Sequence, residues 1–198
     1  YCDFHFSTNL KKKDEMVLAL AKEIEMRSKS ITEQIETIYF GGGTPSILQI
    51  ADLKFLIDSV YKNYKVVENP EITVEANPDD LTEKRIIELS KNKVNRLSIG
   101  IQSFFEDDLQ LMNRAHNVEE AKKCLQIATQ YFDNISIDLI YGVPEMSNKK
   151  WLQNIETALS FGVPHISSYA LTVEPKTALH SFIQKGIIPQ PDDEVAQE

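Results

Sequence analysis

Short apolar runs rich in β-branched residues alternate along this chain with longer amphipathic stretches. The runs at 38–40, 72–75, 97–102, 135–140 and 166–172 are each followed by glycine, proline or an acidic turn cluster, the punctuation that ends strands. Between them, apolar residues recur at helical spacing. Met16, Val17, Leu20, Ala21 and Ile24 form one stripe, and Leu53, Leu56, Ile57 and Val60 a second. Ala121, Cys124, Leu125, Ala128 and Phe132 form a third, and Trp151, Ile155, Ala158 and Leu159 a fourth. Strands alternating with helices predict βαβ units and a parallel sheet, an α/β fold.

The strand ends Gly41, Glu75, Gln102, Asp138 and Tyr169 lie 34, 27, 36 and 31 residues apart. A (β/α)₈ barrel uses about 31 residues per unit. Five units are visible and eight do not fit in 198 residues, which leaves a partial barrel or an open doubly wound sheet. In both, right-handed crossovers gather the strand C-termini at one edge, and that edge carries the site.

Read at period two, three strands have an unusual face. Thr73 and Glu75, then Ser98, Gly100 and Gln102, then Ser136 and Asp138 fall on one side, while their neighbours are uniformly Ile, Leu and Val. Covered parallel sheets read apolar on both faces. The apolar face therefore meets the helices, and the polar face lines a cavity for something polar. The alternative is that Glu75, Gln102 and Asp138 satisfy one another beneath a loop. The fifth strand is too mixed to orient.

Composition narrows the partners. With 42% hydrophobic and 26% charged residues, the chain suits one globular domain. A net charge of −9 argues against nucleic acid. No apolar run approaches the ~18 residues of a membrane span. Two cysteines, Cys2 and Cys124, exclude a disulfide scaffold and suit a reducing compartment, the cytoplasm.

Four local features could carry chemistry. The run from Gly41 to Pro45 follows a strand and precedes a helix. Its glycines let the backbone approach a ligand and present N–H groups, although a plain tight turn fits as well. It is not a phosphate-binding P-loop, because no Gly-Lys-Ser/Thr follows, nor a dinucleotide fingerprint, because Ser46 stands where the third glycine belongs. The pairs Asp79-Asp80 and Asp107-Asp108 read as helix-start charges. Arg114 reads either as a solvated arginine or as a carboxylate clamp. Cys124 lies on an apolar stripe and reads as core.

In order, Tyr1-Cys2-Asp3-Phe4, Gly41 to Pro45, Val74 to Pro78, Ser98 to Phe104, Asp138 to Pro144 and Ser168-Tyr169-Ala170 resemble the radical SAM superfamily. More narrowly they resemble the oxygen-independent coproporphyrinogen III oxidases and the related HemW-type heme chaperones. The resemblance implies a partial (β/α)₆ barrel over residues 1–185, with 186–198 leading towards a C-terminal domain. It implies a [4Fe-4S] cluster held by three cysteines in a C-x₃-C-x₂-C loop, of which Cys2 would be the last. The first strand and the other two cysteines would then precede Tyr1. It implies S-adenosylmethionine on the fourth iron, cleaved by one electron from a donor to give a radical that abstracts hydrogen from substrate. By the same resemblance Tyr1 touches the adenine side, and Gly42, Gly43 and Thr44 hold the methionyl amino group. Glu75, Gln102, Arg114, Asp138 and Ala170 are the remaining cofactor contacts.

The partner implied is a porphyrinogen, decarboxylated to vinyl groups, or heme, bound and delivered without that reaction. The oxidases carry a further cysteine two positions after the third. Phe4 stands there in this chain, which is more similar to the chaperones. A small-molecule-binding partial barrel without iron is the competing reading outside the family.

Overall fold

The computed structural model describes residues 9–191. Its centre is one five-stranded sheet: β1 (Ile35–Phe40), β2 (Val66–Ala76), β3 (Arg96–Gln102), β4 (Asn134–Tyr141) and β5 (His165–Ala170). All four neighbouring pairs are parallel, and the order along the sheet is the order along the chain. That order decides between the two architectures. Successive right-handed crossovers that always step the same way put every connecting helix on one face and curl the sheet towards a barrel, whereas a doubly wound sheet reverses direction.

Seven helices accompany the strands among the described residues: α1 (Lys13–Arg27), α2 (Ile50–Asn63), α3 (Glu83–Ser90), α4 (Glu106–Leu111), α5 (Val118–Ala128), α6 (Asn148–Ser160) and α7 (Ala178–Gln184). Their starts are chemically marked. Asn117 and Glu120 form a reciprocal capping box on α5. Thr82, Ser147 and Thr177 accept backbone N–H bonds at the starts of α3, α6 and α7.

The face predicted to meet the helices does so. Ile72, Val74, Leu97, Ile99, Ile101, Ile135, Ile137 and Leu139 are at most 1% exposed, and they pack with Leu53, Ile57, Leu125 and Ala158 in one core. Removing one such side chain to alanine costs about 2–5 kcal/mol, because the surroundings refill the cavity only partly.

Several details depart from the pattern. On α1 only Val17 is buried, while Met16 and Leu20 are exposed, so a narrow strip of that stripe reaches the core. Leu159 on α6 also faces solvent. The 72–75 run is the end of an eleven-residue strand, and β5 stops at Ala170 rather than continuing to Thr172. Asp79-Asp80 sit in a 3₁₀ turn, and α3 begins after Thr82. Asp107-Asp108 do occupy the first turn of a helix, α4.

Candidate functional site

The polar residues at the strand ends converge. Gly43, Thr44, Pro45, Glu75, Ala76, Asn77, Ser98, Gly100, Gln102 and Asp138 line one cavity of about 100 Å³ at the C-terminal edge of β1–β4. The space suits one polar end of a ligand on the open, helix-free face of the sheet.

Glu75 is held from two sides. Its Oε2 accepts the Gly42 backbone N–H at 2.9 Å, and its Oε1 accepts the Tyr39 hydroxyl at 2.8 Å. Burial, and then the bond to Glu75, raise the Tyr39 hydroxyl above its usual pKa. Among the described residues no hydrogen bond joins Glu75, Gln102 and Asp138 to one another, so the mutual-satisfaction reading of this trio fails.

Asp138 is the electrostatic centre. Burial, and then the nearby Glu75 carboxylate, push its carboxyl up to about 6. Two carboxylates share a partly desolvated cavity, a field that favours a cationic ligand.

The glycine loop is built rather than loose. Gly42 and Gly43 take positive φ, +78° and +61°. Beyond them the Ser46 hydroxyl donates to Asp80 at 2.8 Å, and Arg85 of α3 donates to the carbonyls of Ser46 and Leu48. The site accounts for Gly41 and Gly100 as well. A Cβ at Gly41 would lie 2.7 Å from the Tyr39 ring and 2.9 Å from Glu75, and one at Gly100 would lie 2.7 Å from the Gln102 amide nitrogen.

Arg114 stands at the edge. It donates to Asn77 Oδ1 at 2.6 Å and to the Gly100 carbonyl at 3.2 Å, tying β2's exit to β3. His116, two residues on, is buried with Nε2 3.1 Å from the Ile101 carbonyl, and burial lowers its pKa. Ala170 ends β5 opposite Tyr141, outside the cavity lining. Tyr1 and Cys2 lie outside the described residues.

Register orients the fifth strand. Ser136 pairs with His165 and Asp138 with Ser167, and the Ser136 hydroxyl meets His165 Nδ1 at 2.7 Å. Tyr39 and Asn77 are site residues that the pattern of the sequence did not single out. The signal for Tyr39 was available, since it stands two positions before Gly41 on the same face of the strand.

A wider, mostly apolar cleft of about 1010 Å³ lies between the β4–α6 connection and residues 189–190. Tyr141, Trp151 and Leu152 line it. It lacks the converging carboxylates that line the smaller cavity.

The radical SAM superfamily model matches residues 1–158. The chain belongs to the radical SAM superfamily. It is 38% identical to the heme chaperone HemW of Bacillus subtilis over its whole length, covering 53% of that protein. It is 35% identical to the mouse mitochondrial radical S-adenosyl methionine domain-containing protein 1, covering 84% of this chain and 38% of the relative. The chain thus spans about half, or less, of the curated relatives it matches. Among solved structures, the coproporphyrinogen III oxidase HemN of Escherichia coli, described as a radical SAM enzyme, superimposes with a TM-score of 0.84 at 24% identity. That match covers all of this chain and 46% of HemN, and it shows a shared fold.

Proposed function

We propose that this radical SAM protein binds S-adenosylmethionine at the Glu75–Gln102–Asp138 cavity beside a [4Fe-4S] cluster, and acts in porphyrin or heme metabolism. The observation that carries the reading is the pair of carboxylates, Glu75 and Asp138, meeting a glycine loop at one strand edge. The residues suit the cofactor. A sulfonium cation is favoured by the two carboxylates, an ammonium group by the acceptors around Gly43 and Thr44, and ribose hydroxyls by Glu75, Asp138 and the Gln102 amide. By the family resemblance Arg114 and Ala170 would contact the cofactor beyond the cavity lining, and Tyr1 would face the adenine. Cys2 would supply one thiolate to the cluster. When bound, the cofactor pair supplies one-electron cleavage and hydrogen abstraction. The chain's own part is to bind, orient and neutralise.

Heme or a porphyrinogen is the partner of this reading, with an external electron donor for the cluster and the cytoplasm as its compartment. No helix among the described residues is long and apolar enough to cross a membrane. Heme binding and delivery is the finer reading favoured here. Phe4 stands where the oxidases carry a cysteine, and the Bacillus relative is named a heme chaperone. Oxidative decarboxylation is the second reading, favoured by the HemN-like fold.

The test is one preparation of the full-length protein reconstituted with iron and sulfide, given either heme or coproporphyrinogen with S-adenosylmethionine and a reductant. Stoichiometric heme binding without vinyl product supports the chaperone reading, and vinyl product supports the oxidase. Absence of both iron–sulfur absorbance and cofactor binding overturns the proposal.

A further inference from the structure

Gln102 closes one side of the cavity from a strained position. Its φ is +68°, in the left-handed region that residues with a side chain seldom adopt. The Ser103 N–H donates back to the Ile101 carbonyl at 2.9 Å, so Gln102 is the centre of a γ-turn. The strand is also bulged there. Ile99 pairs with Ile137, but the next pair is Gln102 with Leu139, so three steps along β3 match two along β4. Bulges beside sites re-aim side chains, and a strained residue persists only where its surroundings hold it. Here the bulge and turn lay the Gln102 amide over Gly100, inside the cavity.

The restraint comes from the helical layer around the sheet. Each of the three residues after Gln102 is fastened to a buried polar cluster on α4 and α6. Ser103, fully buried, donates through Oγ to Asp108 Oδ2 at 2.6 Å and lies 3.3 Å from Asn154 Oδ1. The Phe104 N–H donates to the same Asn154 oxygen at 2.6 Å. The Phe105 N–H donates to Ser103 Oγ at 3.2 Å, and its ring lies beneath Lys150 Nζ at 4.9 Å. Lys150 in turn pairs with Asp108 at 2.6 Å and Asp107 at 2.8 Å. Asn154 is fully buried and Asp108 is 2% exposed. Nothing in a helix–sheet contact requires an amide and an ion pair at this depth, where apolar side chains pack as well. These polar groups have a directional role instead, because Asn154 accepts the Phe104 N–H, Asp108 accepts the Ser103 hydroxyl, and Lys150 holds Asp108 in place.

We propose that Asn154, with the Lys150–Asp108 pair behind it, is a positioning residue that keeps Gln102 in its strained turn and its amide in the cavity. This rests on the reading that the cavity receives S-adenosylmethionine. Asn154 does not touch that ligand. It acts through Gln102, so the effects of the two residues must not add.

The experiment is a double-mutant cycle on the full-length protein reconstituted with iron and sulfide, with S-adenosylmethionine affinity measured for the wild type, Asn154→Ala, Gln102→Ala and the double variant. Amide hydrogen exchange at Ser103 is followed in the same proteins without cofactor. Each single change is expected to weaken binding on the order of tenfold. The double variant should be no weaker than Gln102→Ala. Exchange at Ser103 should accelerate in Asn154→Ala while Leu97 and Ile99 keep their protection. Multiplying effects, or unchanged Ser103 exchange, overturn the proposal. Asn154→Ser, which keeps a polar oxygen, takes the place of alanine if that variant fails to fold. A wild type that binds no S-adenosylmethionine overturns the cofactor reading instead, and the latch then stands or falls on the exchange at Ser103.

Discussion

Gly42 and Glu75 are joined across two strand ends: the Gly42 backbone N–H donates to Glu75 Oε2 at 2.9 Å, although the residues lie 33 positions apart. With the Tyr39 hydroxyl on its other oxygen, Glu75 faces the cavity in one fixed orientation. Tyr39→Phe removes one of the two donors and leaves the ring. Because Tyr39 is half-exposed, the loss is at the low end for a hydrogen bond to a charged group, about 1 kcal/mol or roughly fivefold in S-adenosylmethionine affinity. Calorimetric titration of the reconstituted variant checks it, with the melting temperature expected to stay near that of the wild type.

Asp138 gives the protein a pH dependence with a definite sign. Its carboxyl titrates at about 6 when folded, above the ordinary aspartate value, so the folded chain holds a proton that the unfolded chain releases. The stability this contributes is fully present below about pH 4 and is lost as pH rises through about 6. Asp138→Asn should therefore melt higher than the wild type above pH 6, and the difference should vanish below pH 4. Binding of a cationic ligand runs the other way, strengthening in the wild type as pH rises through 6 and staying flat in the variant. Thermal melts and titrations from pH 4 to 8 measure both.

His116 contributes the opposite slope. Buried, with burial lowering its pKa, it takes up a proton less readily when folded than in the unfolded chain, which does so below about 6.5. Stability from this group is lost as pH falls below that value. His116→Gln, a neutral polar replacement, should flatten the acid side of the melting profile, and melts between pH 5 and 7.5 test it.

Glycines at two positions answer to side chains rather than to backbone conformation. In Gly100→Ala the new methyl collides with the Gln102 amide, with Arg114 and Asn77 close behind. Affinity should fall on the order of tenfold, with the fold intact by circular dichroism. Gly41→Ala should act alike by displacing the Tyr39–Glu75 pair, and an affinity equal to wild type in both would contradict the close approach.

The strand positions and the polar face could be read in advance because period-two alternation is strong in β2, β3 and β4, where Ile and Leu alternate with Ser, Thr and carboxylates. Three features lay beyond that pattern. The three-residue run 38–40 carries no alternation of its own, so Tyr39 is legible only from its place two residues before Gly41. Strict alternation has no place for an extra residue, so the bulge before Gln102 and the strain it carries were invisible. The Asp108 carboxylate fitted a helix-start charge, and only tertiary packing reveals that it lies 2% exposed against Lys150. On α1 the apolar spacing overstates burial, because only Val17 is buried, Ala21 and Ile24 pack partly against the core, and Met16 and Leu20 face solvent.

The functional reading stands on the carboxylates at the ends of β2 and β4 as the receptors of the cofactor. Equilibrium dialysis of S-adenosylmethionine against the full-length protein reconstituted with iron and sulfide probes them without an intermediary, comparing the wild type with Glu75→Ala and Asp138→Ala. Both variants should keep the iron–sulfur absorbance and lose at least about tenfold in affinity, the worth of a charge-assisted contact. Wild-type affinity in both variants would contradict it.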